Sequence, residues 1–243
     1  MKTESGKSYT YSGGIVISGG TITVSTSGNN GEGIESKNTL DITGGQVTVN
    51  SFDDAINSAQ DLTISGGFVY GYAQKNDAID ANGNCYIKGG VIYAIGANGA
   101  EVAIDANSEN QKKLYVTGGT LVAIGGLESG ASMTQSCYST ASWKENTWYA
   151  MTYGNEVFAF KTPSSGGTTL VVSAASTPTL MSNVTITGGT EYFGGVGIIG
   201  GTVSGGDNIS LSSYTGNNNN GPGGGGGPNG GGGPNGGGNP GRR

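Results

Sequence analysis

The chain has 243 residues, 50 of them glycine and only 12% charged, with a net charge of −6 and no histidine. That excludes a Ser-His-Asp triad, a histidine general base and histidine-ligated zinc or copper, and the two cysteines, Cys85 and Cys137, are too few for a thiolate cluster. The negative balance also argues against nucleic acid and anionic membrane surfaces, which select Lys/Arg patches.

In chain order, residues 1–12 read as a leader or cap. Met1 to Lys7 lacks the apolar region of a signal peptide, and no later run is long enough to span a membrane. Export to the outside of a cell or its surface is therefore an expectation from composition, rich in Ser, Thr, Asn and Gly.

Residues 13–126 carry an internal repeat. Ile15-Val16-Ile17-Ser18-Gly19-Gly20 returns at Leu40 to Gly45, Leu62 to Gly67, Cys85 to Gly90 and Leu114 to Gly119, at spacings of 25, 22, 23 and 29 residues. Apolar and polar residues alternate in each copy, which places the first and third positions on one face. A second short strand follows Gly-Gly (Thr21 to Val24, Gln46 to Val49, Phe68 to Tyr70, Val91 to Tyr93), and a third apolar anchor closes each unit at Ile34, Ile56, Ile79 and Ile104. Three short strands in about 22 to 25 residues match one turn of a parallel β-helix, whose units must stack to bury their stripes. The preferred crossover hand makes it right-handed. Gly-Gly fits the corners, where positive φ suits glycine.

Residues 127–182 break the period. An aromatic stretch holds Tyr138, Trp143, Trp148, Tyr149 and Tyr153, and strands follow at Glu156 to Phe160 and Thr169 to Ser173, separated by Pro163 to Gly167. This reads as a hairpin-like insertion covering sheet edges or stack ends. A late repeat copy, Val184 to Gly189, places final β-helix coils in 183–215. Residues 216–243 are Gly, Asn and Pro in low complexity and read as a disordered tail or linker to further domains or a cell surface.

Between Glu32 and Asp105, ten acids face three lysines, a formal charge of −7. Most bracket the third anchor: Glu32 and Glu35 around Ile34, Asp53, Asp54 and Asn57 around Ile56, Asp77 and Asp80 around Ile79, Glu101 and Asp105 around Ile104. Stacking places equivalent acids about 4.8 Å apart, where unit charges repel by roughly 3 to 4 kcal/mol at an effective dielectric near 20. A solvated acidic edge would tolerate part of this. A hard cation between turns removes it, and Ca2+, with six to eight oxygen ligands, fits better than Mg2+; two or three ions are expected.

The run Asp53-Asp54-Ala55-Ile56-Asn57, Ile64-Ser65-Gly66-Gly67, Asn76-Asp77-Ala78-Ile79-Asp80, Ile87-Lys88-Gly89-Gly90 resembles a family of bacterial secreted carbohydrate-binding β-helix domains over roughly residues 15–206. The resemblance implies calcium, binding of acidic cell-wall polysaccharides or cellulose, and a fold similar to family 9 pectate lyases. Asp53, Asp54, Asn57, Asp77 and Asp80 match its calcium motif best; Glu32, Glu35, Glu101 and Asp105 match more loosely.

Three functions stay open. In a non-catalytic polysaccharide binder, Tyr70 and Tyr93 on one outward phase with Tyr72 nearby, Tyr86 and Tyr115 on another, and Trp143, Trp148 and Tyr149 in the insertion are candidate sugar platforms, against the alternative of ordinary sheet ladders and core. A calcium-dependent lyase would need Lys75 or Lys88 as base, and neither matches a lyase motif. An adhesin or fibre subunit would form filaments. Cys85 occupies a Leu position and reads as core packing; a disulfide to Cys137 and two free thiols are both open.

Overall fold

The computed structural model of the chain describes residues 12–99 and 101–216, and the backbone of a short antiparallel pair, β1 (Lys2–Glu4) and β2 (Lys7–Tyr9). The tail expected beyond Gly216 and the side chains of the leader up to residue 11 lie outside the described residues. Within them the protein is all-β, and its N-terminal half winds a β-solenoid of about four turns. No described helix is long and apolar enough to cross a membrane.

Each turn supplies a long strand and a short one. The long strands β3 (Ile15–Ser25), β5 (Leu40–Ser51), β7 (Leu62–Ala73) and β9 (Cys85–Ile95) pair in parallel, as do the short strands β4 (Ile34–Ser36), β6 (Ile56–Ser58) and β8 (Ile79–Ala81). The two strands expected on either side of Gly-Gly thus run on as one bent element, and the ladder register slips at the corner, between Ile17 and Thr21 and between Ile64 and Phe68. They separate only in the last turn, as β10 (Leu114–Val116) and β11 (Thr120–Ile124). The second glycine of each corner has φ between 79° at Gly20 and 89° at Gly119. A Cβ on Gly45 would stand 2.8 Å from Gly19 carbon and 2.9 Å from Gly20 oxygen, so the corners stack backbone on backbone.

Alternation places Leu40, Ile42, Val47, Val49 and their equivalents inside, where they form one continuous core. The anchor column Ile34-Ile56-Ile79-Ile104 is continued by Leu127. Cys85 is stacked within this core, and Cys85 and Cys137 are both buried free thiols.

Past the solenoid, pairing turns antiparallel. β16 (Leu170–Ser173) pairs with β11 and ends the parallel stack, followed by β13 (Cys137–Thr140) and β21 (Ser212–Tyr214), while β12 (Ser132–Met133) adds to β10. The Tyr214 hydroxyl reaches the last anchor, accepting from Leu127 N–H and donating to Leu127 carbonyl at 3.1 Å each. A second sheet of six antiparallel strands runs β18 (Thr190–Tyr192), β19 (Gly197–Ile199), β15 (Glu156–Lys161), β14 (Trp148–Tyr153), β17 (Thr179–Thr187) and β20 (Thr202–Ile209). The two strands expected in the insertion therefore serve different sheets. Residues 183–215 do not resume the coils: β17 pairs antiparallel with β20 over Leu180 to Thr187. The physical reason lies in the glycines. Gly188-Gly189 and Gly200-Gly201 face each other, with the Gly188 carbonyl oxygen 2.8 Å from the Cβ position of Gly201, and no acid-Ala-Ile anchor follows to close a turn.

This second sheet lies on the outer face of the solenoid. Tyr70, Tyr93 and Val122 meet Tyr149, Met151, Phe158 and Phe160 in a second core. Tyr93 lies edge-on to Phe158 with centroids 6.4 Å apart, and its hydroxyl donates to the Lys161 carbonyl at 2.9 Å.

Candidate functional site

The short strands and the loops entering them build an acidic wall. Register places Glu35, Asn57 and Asp80 side by side, each one residue past its anchor. Asp105 and Glu128 continue the column, since their N–H groups donate to the carbonyls of Ile79 and Ile104 at 2.8 and 3.0 Å. Two residues before the anchor, Glu32, Asp54 and Asp77 form a second column. Ala55 and Ala78, between acid and anchor, are fully buried, and a Cβ on Gly71 of the neighbouring long strand would stand 2.9 Å from the Ala78 carbonyl oxygen.

Side chains tie the turns together. Asp54 Oδ1 accepts from the Asp77 N–H at 3.0 Å, and Asp77 Oδ1 accepts from the Val102 N–H at 2.7 Å. Asn57 Nδ2 donates to Asp54 Oδ2 at 3.1 Å and to Glu32 Oε2 at 3.4 Å, and Asn76 Nδ2 donates to Asp53 Oδ1 at 2.9 Å. Glu35 is exposed and ion-pairs with Lys37. A parallel relay runs at the start of the long strands, where Asp61 Oδ1 accepts from the Asn84 N–H at 2.8 Å and Asn84 Oδ1 from the Lys113 N–H at 3.1 Å.

Among the described residues, Asp77, Asp80 and Asp105 gather closely, bringing one carboxylate oxygen each within 4.8 Å of the others. Asp77 is 6% exposed and Asp54 4%. Burial, then the charges of Asp80 and Glu32, pushes the Asp54 carboxyl up to about 8. Burial raises Asp80 to about 6, against the hydrogen bond from Asp105. Asp77 and Asp105 are driven well above the carboxylate range, by burial first and then by their acidic neighbours, and Glu32 and Glu101 rise for the same first reason. Two oxygens bound to one Ca2+ at 2.3–2.6 Å can stand at most about 5 Å apart, so the spacing of the Asp77, Asp80 and Asp105 oxygens is compatible with one such ion and offers three of its six to eight ligands.

The sequence pattern anticipates every acid of this wall except Glu128. Its anchor is the Leu of Gly125-Gly126-Leu127, which lacks the Ala-Ile signature and falls past the expected coil boundary at 126. The only available signal was a further apolar-acid pair 23 residues after Ile104. The aromatic expectations fare differently. Tyr70, Tyr93 and Tyr149 are buried between the layers and offer no platform. Tyr72 and Trp143 pack against the same core, with Trp143 Nε1 donating to the Gly167 carbonyl at 2.8 Å, and Trp148 packs on the far side of the second sheet. Tyr86 and Tyr115 do stack in the open, centroids 5.1 Å apart, with Lys88 Nζ 4.8 Å from the Tyr86 centroid. Lys88 therefore stands on a long strand away from the acidic wall, whereas Lys75 is exposed in the loop that leads into Asp77.

The described residues thus form a β-solenoid lined on one edge by stacked carboxylates and amides. The family described as "carbohydrate-binding domain-containing protein" matches residues 3–193, and the chain belongs to it. No curated protein and no solved structure matches the chain.

Proposed function

We propose that this protein is a non-catalytic module that binds cell-wall polysaccharide outside the cell, with calcium holding the acidic edges of its turns together. Family membership over residues 3–193 is the observation that carries the carbohydrate part. The Asp77, Asp80 and Asp105 cluster supports the metal, flanked by Asp54 and Asn57 on one side and Glu128 on the other. Carboxylates raised this far hold protons when nothing else neutralises them, and a hard divalent cation would replace those protons. Asp77, Asp80 and Asp105 would hold it, and Asn57 would orient Asp54. When bound, the ion would supply charge neutralisation between turns.

Calorimetric titration of polygalacturonate and of soluble cello-oligosaccharides, with calcium and after chelation, tests both parts. Saturable heat with at least one polymer is the expected result. Heat unaffected by chelation would separate the sugar surface from the metal, and no heat with any polymer would remove the carbohydrate reading.

A further inference from the structure

The two layers differ in extent, and the mismatch leaves a step. Outward positions in the second half of the long strands form three columns across the turns: Thr21-Gln46-Phe68-Val91, Thr23-Thr48-Tyr70-Tyr93 and Ser25-Asn50-Tyr72-Ile95. From the third turn onward these columns are aromatic or aliphatic and join the core under the second sheet. In the first two turns every member is a hydroxyl or an amide. Thr21, Thr23 and Ser25 are exposed, Gln46 and Asn50 half-exposed, and Thr48 is buried at the inner corner. This floor carries no charge.

The riser of the step is aromatic. Tyr192 from the second sheet stacks on Phe68 with centroids 4.1 Å apart and planes at 25°, and both rings are half-exposed. Tyr72 stands on the same riser, its hydroxyl 3.0 Å from Ser165 Oγ. The turn behind Tyr192 is strained: Phe193 has φ 60° and is followed by Gly194 at 67° and Gly195 at 89°. A bulky residue in that region costs on the order of 1 kcal/mol or more. Here the Phe193 ring is held between Tyr70 and Phe158, at 5.8 and 6.3 Å. The strain is sustained by the core and sets Tyr192 against the edge of the floor.

We propose that this step is the binding site of an uncharged glycan chain, an inference that rests on the carbohydrate-binding reading above. The apolar faces of pyranose rings stack on half-exposed aromatic rings, and their hydroxyls match the mixed donors and acceptors of Thr, Ser, Asn and Gln. A uronate would bring a carboxylate to a floor of hydroxyls and amides that offers no cation to neutralise it. The site therefore selects neutral chains, and it lies apart from the acidic wall on the short strands.

The test is titration calorimetry with soluble cello- and xylo-oligosaccharides, with polygalacturonate as acidic comparator. The wild-type protein should bind a neutral oligosaccharide. Tyr192→Ala and Asn50→Ala should each weaken it tenfold or more, and Thr23→Arg, at an exposed position where folding is not at stake, should block it. The Tyr86→Ala/Tyr115→Ala double variant, beyond the Gly-Gly corner, should bind as wild type. Unchanged affinity in Tyr192→Ala, Asn50→Ala and Thr23→Arg overturns the proposal, and so does wild-type binding confined to polygalacturonate; in both cases carbohydrate binding itself stands. Absence of binding to all three saccharides removes that wider reading along with this one.

Discussion

Asp54 and Asp77 each do two things: one carboxylate oxygen accepts a backbone N–H from the next turn, while the group lies among other acids. The hydrogen bond favours the charged form and burial opposes it, and burial wins. Without metal, these groups bind protons more tightly folded than unfolded. Their contribution to stability is complete below about pH 4, the unfolded carboxylate value. It is lost as pH rises through the folded values, about 6 for Asp80 and about 8 for Asp54. Thermal unfolding in chelator should therefore show a melting temperature that falls between pH 4.5 and 8; a rise over that range would contradict the direction of these shifts. Calcium should reverse the slope, because it competes with the same protons. At a hundredfold excess over its Kd it would add about 2.7 kcal/mol, on the order of 5–10 °C for a domain of this size. In Asp80→Asn that increment should shrink by at least half, read by differential scanning calorimetry with and without calcium.

Among the elements, the Gly-Gly corners and the aromatic column carry the most packing. Gly45→Ala would force a methyl group to within 2.9 Å of the backbone of Gly19 and Gly20, at φ 86°. A loss of more than about 1 kcal/mol is expected from denaturant unfolding. Tyr93→Ala, at the centre of the second core, should cost about 3–5 kcal/mol in the same measurement. The contrast between these sites explains what a reader of the sequence could see. The Gly-Gly period, the anchors from Ile34 to Ile104 and the acids beside them repeat within the chain, so each copy corroborates the others. Tyr70 and Tyr93 take the same position in two successive turns, but an outward phase looks the same whether it faces water or a second sheet. The covering strands Glu156 to Lys161 and Thr179 to Thr187 have no period of their own, and their antiparallel partners are set by long-range pairing that local pattern does not encode. Val184 to Gly189 misleads for a related reason: its six residues match the repeat, and only the missing anchor after it betrays a different fate.

For the whole molecule, the step between layers makes stability uneven. The second sheet covers the third turn and those after it, while β3 keeps Val16 68% exposed and most of its residues in solvent. In a stack where each turn touches only its neighbours, opening begins at the least supported end. Hydrogen exchange should show protection rising from β3 through β5 to β7 and β9, and uniform protection across these strands would contradict this gradient. The corners have one more consequence. Because each glycine pair rests on the backbone of the pair before it, the corner itself makes no demand on side chains, and a repeated unit would bring its own inward residues and acids to the rest of the junction. A duplication of one full unit of 22 or 23 residues would find the same seat on both sides and lengthen the rod by one strand spacing. A single-residue insertion in a long strand would instead turn its inward residues outward. Such a scaffold tolerates changes of length in whole-turn steps, and each added turn before Phe68 would widen the polar floor while leaving its aromatic riser in place.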